Sequence, residues 1–342
     1  MNKTKEIKIG SIIIGGNYPV AIQSMLKVHP AKIQEAVNQI KRLEECGCNL
    51  IRIAIPDMEA AFAITEIKKA SKVPIIADIH FDHRLAIESI KRGIDKIRLN
   101  PSNIKNIENI KHVVLLAKER QIAIRIGGNI GSIKRNKNEN LIDALFNEIN
   151  KEINILESLE FYNIVISAKC SDIDLNYNIN KKLSENFSYP IHIGITEAGT
   201  LIHGIVKSTI GLVRILSDGI GDTIRISLTG ELENEVKTAI SILKCLNKYP
   251  GVEIISCPMC GRSRIDVKKY ADRVEKETLS IKKNLKIAIM GCEVNGPGEA
   301  KEADIGIAGC GNYLVLFEKG EIIDKGEPDE MIDKLVSKIL NI

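Results

Sequence analysis

The chain has no tryptophan, and its six phenylalanines and seven tyrosines hold aromatics to 4% of 342 residues. Single-stranded nucleic acid needs aromatic faces to stack on and a basic groove to track its backbone. Neither is offered here, because the formal charge of +4 is spread along the chain with no dense basic block. No apolar run is long enough to span a bilayer. The start, MNKTKEIKIG, lacks the apolar core and cleavage site of a signal peptide. Eight cysteines are too sparse for a disulfide scaffold, so in the absence of an export signal they read as reduced thiols or ligands. These absences predict a cytoplasmic protein with no nucleic-acid or membrane partner. There is also no Walker loop, and IGGNIGS does not have the dinucleotide G-x-G-x-x-G spacing. Short-period repeats and low-complexity segments are missing too.

What is present is alternation. Apolar runs at 19–25, 49–55, 73–80, 95–101, 121–129, 163–169, 190–198 and 222–229 read as strands, with amphipathic stretches between them. Near-continuous apolar strands, each followed by a helix, predict parallel pairing buried on both faces. Eight such units fit a closed (β/α)₈ barrel, with an open doubly wound sheet as the competitor. Residues 130–162 hold a lysine- and asparagine-rich turn and an extra helix, expected as decoration of the barrel. Past ELENEVKTAISILKCLNKYPG the pattern changes. VEIIS, LKIAIMG and ADIGIAG read as strands, YLVLFEKGEIIDKG as a hairpin and PDEMIDKLVSKILNI as a closing helix. The expected organisation is an α/β chain with a TIM-like barrel over 1–248 and a small α/β domain over 249–342.

CPMC places Cys257 and Cys260 at a strand end, and Cys292 lies at another, with Glu299 seven residues on in a Gly-Pro loop. A thioredoxin-like pair gives Cys292 no role, and structural zinc usually has two complete ligand pairs. An iron–sulfur cluster draws thiolates from separate loops and uses all three cysteines, with Glu299 or Cys310 as a fourth ligand. Cys46, Cys48 and Cys245 read as buried small hydrophobes. Cys170 is ambiguous, following Lys169 at a strand end.

Barrel sites lie at the C-terminal ends of the strands. Those ends supply Arg52, Asp78, His80, Arg98, Asn100, Arg125, Asn129, Lys169, Thr196, Glu197, Arg225 and Ser227. Five cations inside apolar strands are costly unless paired, and only Asp78 and Glu197 lie within the strands to balance them. An anionic ligand would supply the missing charge, and arginine forks suit phosphate oxygens. A cationic pocket and a redox cluster on one chain suggest reduction of a phosphorylated small molecule.

Several stretches carry a resemblance: AIQSM, IADIHFDHRLA, KIRLNPSN, IRIGGNIGS, HIGITEAGT, SDGIGDTIRISLTGE, IISCPMCGR and MGCEVNGPGEAKEADIGIAG. Through them the chain resembles, nearly end to end, the 4-hydroxy-3-methylbut-2-enyl diphosphate synthase family of the methylerythritol phosphate route to isoprenoids. The resemblance implies a barrel followed by a domain holding a 4Fe-4S cluster on Cys257, Cys260, Cys292 and Glu299. It implies reductive ring opening and dehydroxylation of 2-C-methyl-D-erythritol 2,4-cyclodiphosphate, with electrons from ferredoxin or flavodoxin. The substrate would sit among the barrel-mouth residues, with Glu197 as acid/base and Asn295 touching it from the cluster side. A homodimer is also implied. Four departures stand out: LKVHP, with Lys27 and His29, replaces a turn rich in threonine and asparagine, Ser102 a glycine, Gly128 a larger apolar residue, and Cys170 a serine.

Overall fold

The computed structural model describes residues 3–129, 140–278, 281–294, 296, 300 and 302–341. The chain divides into two compact units, Met1–Leu246 and Asn247–Ile342.

The first unit opens with an antiparallel hairpin, β1 (Ile7–Ile9) and β2 (Ile12–Ile14). Four strand–helix pairs follow: β3 (Ala21–Met25) and α1 (Ile33–Glu45), β4 (Leu50–Ala54) and α2 (Met58–Ala70), β5 (Ile75–Asp78) and α3 (His83–Lys91), β6 (Lys96–Arg98) and α4 (Ile107–Glu119). The second four are β7 (Ala123–Asn129) and α5 (Leu141–Ser158), β8 (Ile164–Lys169) and α6 (Ile173–Asn186), β9 (His192–Ile193) and α7 (Leu201–Ser217), β10 (Thr223–Ile224) and α8 (Leu232–Cys245). The strands pair in the order β8-β7-β6-β5-β4-β3-β10-β9, and a bridge from Ile166 to Ile191 closes the ring. The sheet is therefore a closed barrel, not an open doubly wound one.

Local chemistry sets the helix starts. Asp57, Asp82, Asn106, Asn140 and Asp172 each accept a backbone N–H in the first turn of the helix they cap. Helix α1 buries Ala36, Ile40 and Leu43, a stripe with helical spacing turned to the sheet. The helix expected as decoration is α5 itself, the crossover between β7 and β8. Strands β9 and β10 span two residues each, much shorter than the apolar runs around them. Cys245, expected inside, is exposed at the end of α8. The hairpin plugs the end where the strands begin: Ile7, Ile9 and Ile14 pack against Ala21, Leu50, Ile76, Ala123 and Val165. That end is apolar, which leaves the other end for chemistry.

The second unit is a five-stranded sheet ordered β11 (Val252–Ser256), β12 (Leu285–Met290), β13 (Ile305–Cys310), β14 (Tyr313–Glu318), β15 (Glu321–Gly326). The first three strands run parallel and the last two join antiparallel. Helices α9 (Val267–Glu277) and α10 (Pro328–Leu340) cover one face, packing Val274, Met331 and Leu335 against Ile287, Ile289 and Ile307. Because β11, β12 and β13 are parallel, their C-terminal ends share one edge, and the cysteines follow there.

Candidate active site

Register gathers the barrel mouth. Asp78 pairs with Arg98 across β5 and β6, and Arg98 pairs with Arg125 across β6 and β7. Side chains level with one another on neighbouring strands share a face, so these three meet inside the barrel. They line a pocket of about 1360 Å³, open to solvent, together with Arg52, His80, Asn100, Lys169, Thr196, Arg225 and Ser227. Ten of the residues expected at the strand ends thus come together. Asn129 closes β7 in register with Lys169, but its side chain lies outside the described residues, as does Asn295. Glu197 is exposed, has a left-handed φ of 53° and is not among the lining residues.

Asp78 is the hub. Its carboxylate lies 3.7 Å from Arg52 Nε, 3.7 Å from Arg98 Nε and 3.6 Å from His80 Nε2. Burial alone would raise its pKa, but the His80 hydrogen bond and the guanidiniums of Arg52, Arg98 and Arg125 hold it well below the carboxylate range. Arg98 Nη1 lies 3.1 Å from His80 Nδ1, and since a guanidinium only donates, that nitrogen accepts and the ring proton sits on Nε2, facing Asp78. Met25 Sδ accepts from Arg52 Nε at 3.1 Å and Nη2 at 3.0 Å, a weak partner for a charged fork. Burial first, then the Arg225 and Arg98 charges, lower the Arg52 guanidinium to about 10 against the pull of Asp78. Burial, followed by Arg52 and Arg98, pushes Arg125 well below its ordinary value. Arg125 Nε, Arg225 Nε and Asp78 Oδ1 are buried without a hydrogen-bond partner. Two of these three unpartnered atoms at the mouth are donors on guanidiniums.

Several residues here were not anticipated. The second buried carboxylate is Glu235 of α8, not Glu197: it accepts from Ser24 Oγ at 3.0 Å and Leu228 N at 3.3 Å, and lies 3.9 Å from Arg225 Nε. Its helix begins ELENE, which reads as a solvated face, so nothing local marked it. Lys96 and His192 are fully buried inside the barrel. Both are legible as charged or polar positions within apolar strands, but they lie below the strand ends, deeper in the barrel. Glu148 of α5 joins the rim, with burial raising its pKa. Even counting Glu148, among the described residues five lysine and arginine side chains face three carboxylates. Asn100 exchanges hydrogen bonds with the Gly127 backbone, at 2.8 Å and 3.1 Å, so its amide fixes the turn beside the pocket.

The departures are structural. Lys27 Nζ donates to the Gly230 carbonyl and His29 Nε2 lies 3.1 Å from Asp57 Oδ2, so neither side chain lines the pocket. Ser102 donates its N–H to buried Glu152 at 3.0 Å and its hydroxyl to the same carboxylate. A Cβ on Gly128 would come within 2.4 Å of Leu145 Cδ1, so its glycine lets α5 pack closely. Cys170 is buried, and its thiol donates to the Asp172 carbonyl at 3.1 Å.

In the second unit, Cys257, Cys260 and Cys292 line one pocket of about 380 Å³ with Pro258, Arg262, Ser263 and Gly291. Cys257 Sγ accepts from Gly291 N at 3.1 Å. The Arg262 backbone N–H, and then its guanidinium, lower the exposed Cys260 thiol despite some burial cost. Met259, inside the CPMC turn, takes a left-handed φ of 56°. Among the described residues no three His, Cys, Asp or Glu side chains converge on one ion-sized point. Glu299 lies outside the described residues. Cys310 is not among the lining residues, and its thiol donates to Tyr313 Oη at 3.3 Å. The donor set is three soft sulfurs in one pocket with N–H groups directed at two of them, which suits iron–sulfur chemistry.

Fold and site together define a class: a (β/α)₈ barrel with a cationic mouth, carrying a C-terminal α/β unit that presents three thiols. Residues 4–240 match the GcpE TIM-barrel domain and residues 253–341 the GcpE protein C-terminal domain, and the chain belongs to this family. A 4-hydroxy-3-methylbut-2-en-1-yl diphosphate synthase (flavodoxin) of Caldanaerobacter subterraneus subsp. tengcongensis is 52% identical, covering 98% of this chain and 96% of its own. Synthases of the same name from Caldicellulosiruptor saccharolyticus and Clostridium tetani are 49% and 47% identical, each covering 99% of both chains. Among solved structures, the Yersinia pestis dihydropteroate synthase superposes with a TM-score of 0.55 at 14% identity, covering 71% of this chain and 97% of its own. That likeness concerns the fold alone.

Proposed function

We propose that the chain converts 2-C-methyl-D-erythritol 2,4-cyclodiphosphate to 4-hydroxy-3-methylbut-2-enyl diphosphate in the methylerythritol phosphate pathway. The observation that carries this reading is the excess of cations around Asp78 at the barrel mouth, in a chain about half identical over its full length to synthases of that name. A cyclic diphosphate brings the missing negative charge. Arg52, Arg98, Arg125, Lys169 and Arg225 hold its phosphate oxygens, and Asn100, Asn129, Thr196, Ser227, His80 and Asp78 orient the carbon skeleton. Breaking the ring carbon–oxygen bond and releasing the neighbouring hydroxyl as water takes two electrons and one proton. Glu197, one residue after the lining Thr196, would supply the proton to the departing hydroxyl.

Cys257, Cys260, Cys292 and Glu299 would hold a 4Fe-4S cluster, which supplies the electrons one at a time. A carboxylate is a harder ligand for iron than a thiolate, so Glu299 would hold its iron more weakly than the three cysteines hold theirs. The relatives' names carry flavodoxin, which with ferredoxin is the proposed donor class for this chain. A homodimer and a cytoplasmic location complete the reading; no described helix is long and apolar enough to cross a membrane. The test is anaerobic purification followed by turnover of the cyclodiphosphate with a chemical reductant. A brown protein with about four irons and formation of the linear diphosphate is the expected result. An iron-loaded chain that leaves the cyclodiphosphate untouched overturns the assignment.

A further inference from the structure

We infer that His192 is a positioning residue that fixes the Lys169 ammonium at the barrel mouth, working as a neutral imidazole with its proton on Nδ1. This rests on the reading of Lys169 as a phosphate contact. Lys169 Nζ lies 2.9 Å from His192 Nε2, and His192 Nδ1 lies 2.7 Å from Thr223 Oγ1. Burial, and then the charges of Arg125, Arg225 and Arg52, pull the Lys169 amine well below its ordinary value, and a phosphate in the mouth would favour its charged form. Against that ammonium, which has donors only, Nε2 accepts and the ring proton sits on Nδ1, donated to the threonine hydroxyl. His192 and Thr223 are fully buried and are register partners on β9 and β10, so the chain of contacts ends on rigid strands. Ser167 Oγ donates to the His192 carbonyl at 2.9 Å, which holds the imidazole's backbone from the β8 side.

The slot around the amine is equally specific. Gly194 follows His192 by two residues, and a Cβ there would come within 2.7 Å of Lys169 Nζ and 2.6 Å of the Arg225 carbonyl. The charged groups acting on His192 are Lys169, Arg125, Lys96 and Arg52, all cations. Burial first, and then these charges, keep the imidazole from protonating. A protonated ring could not accept from the ammonium. A lysine on a flexible stem otherwise loses rotamer freedom on gripping a ligand, and holding it beforehand removes that cost from binding.

The experiment pairs selective ¹⁵N-histidine NMR with calorimetry of 2-C-methyl-D-erythritol 2,4-cyclodiphosphate on the iron-loaded protein. His192 should give the Nδ1-protonated pattern and not titrate between about pH 5 and 8, where free imidazole does. Lys169→Met and His192→Leu should each weaken binding by about tenfold or more, the effect of one lost hydrogen bond to a charged group. His192→Gln can accept from the ammonium and donate to Thr223, and should stay within about threefold of the parent. If Lys169→Met binds like the parent, the phosphate role of the lysine is wrong. If Lys169→Met weakens binding while folded His192→Leu does not, the positioning role is wrong. Should His192→Leu fail to fold, an Nε2-protonated or titrating His192 in the parent, or a large loss in His192→Gln, overturns the inference.

Discussion

At the scale of single residues, Asp78 separates a structural from a functional account of the mouth. Among the described residues its carboxylate is the one placed among Arg52, Arg98 and His80, and Arg125 acts on it as well. Asp78→Asn removes the charge and leaves the cations facing one another. Losing one partner of a buried charge group costs about 3–5 kcal/mol, which urea unfolding should register. Inorganic diphosphate should restore more stability to Asp78→Asn than it adds to the parent, because it supplies the lost negative charge. An equal shift in both proteins would mean that the arginines do not meet the anion. The pH dependence follows from the depressed pKa of Asp78. A carboxyl lowered on folding adds stability above its unfolded value, near 3.9, and loses it as pH falls through the folded value. Its contribution should therefore be flat from neutrality to about pH 5 and fade only below that. The arginines give the complementary prediction. Arg98→Gln and Arg125→Gln should each raise the dissociation constant for the cyclodiphosphate by about ten- to a hundredfold, measured calorimetrically with the cluster intact.

At the scale of elements, the hairpin plug should affect folding and leave binding alone. Ile9 is fully buried between the hairpin and the strand starts. Ile9→Ala should cost about 2–5 kcal/mol of stability, while affinity of the folded protein for the cyclodiphosphate stays at the parent value. Loss of affinity in step with stability would show that the two ends of the barrel are not independent. This hairpin was also the least legible part of the fold. IKIGSIII reads as one apolar stretch, and only the positive φ of Gly10, 54°, turns it back on itself. The eight strand–helix units were legible because parallel strands buried on both faces leave unbroken apolar runs. The lengths of β9 and β10 were not, since PIHIGITEA and DTIRISLT keep a strand-like alternation past Ile193 and Ile224, where the ladders end. Strand ends mark only the uppermost tier of side chains at the mouth. His192 and Lys96 sit a tier lower, and Glu235 arrives from a helix, where sequence alone cannot tell a buried glutamate from its exposed neighbours.

At the scale of the whole molecule, the outer surface of α7 bears on assembly. Ile202, Val206 and Ile210 are 79%, 52% and 56% exposed, and their spacing of four places them in one stripe along the helix. An apolar stripe left in water is the kind of surface that a second copy covers in an isologous pair. Ile202→Glu with Val206→Glu should therefore shift the protein to monomer in sedimentation at micromolar concentration, without loss of fold. The proposed homodimer has a second test, in which the barrel of one protomer would be served by the thiols of its partner. Cys292→Ser lacks a cluster ligand, Glu197→Ala lacks the proposed acid, and each alone should be nearly inactive. Mixing the two with subunit exchange should regenerate one complete site per heterodimer and bring back up to about a quarter of the parent activity, since half of randomly paired dimers are mixed and each carries one good site of two. If exchange is verified by mass spectrometry and no activity returns, barrel and thiols act within a single chain.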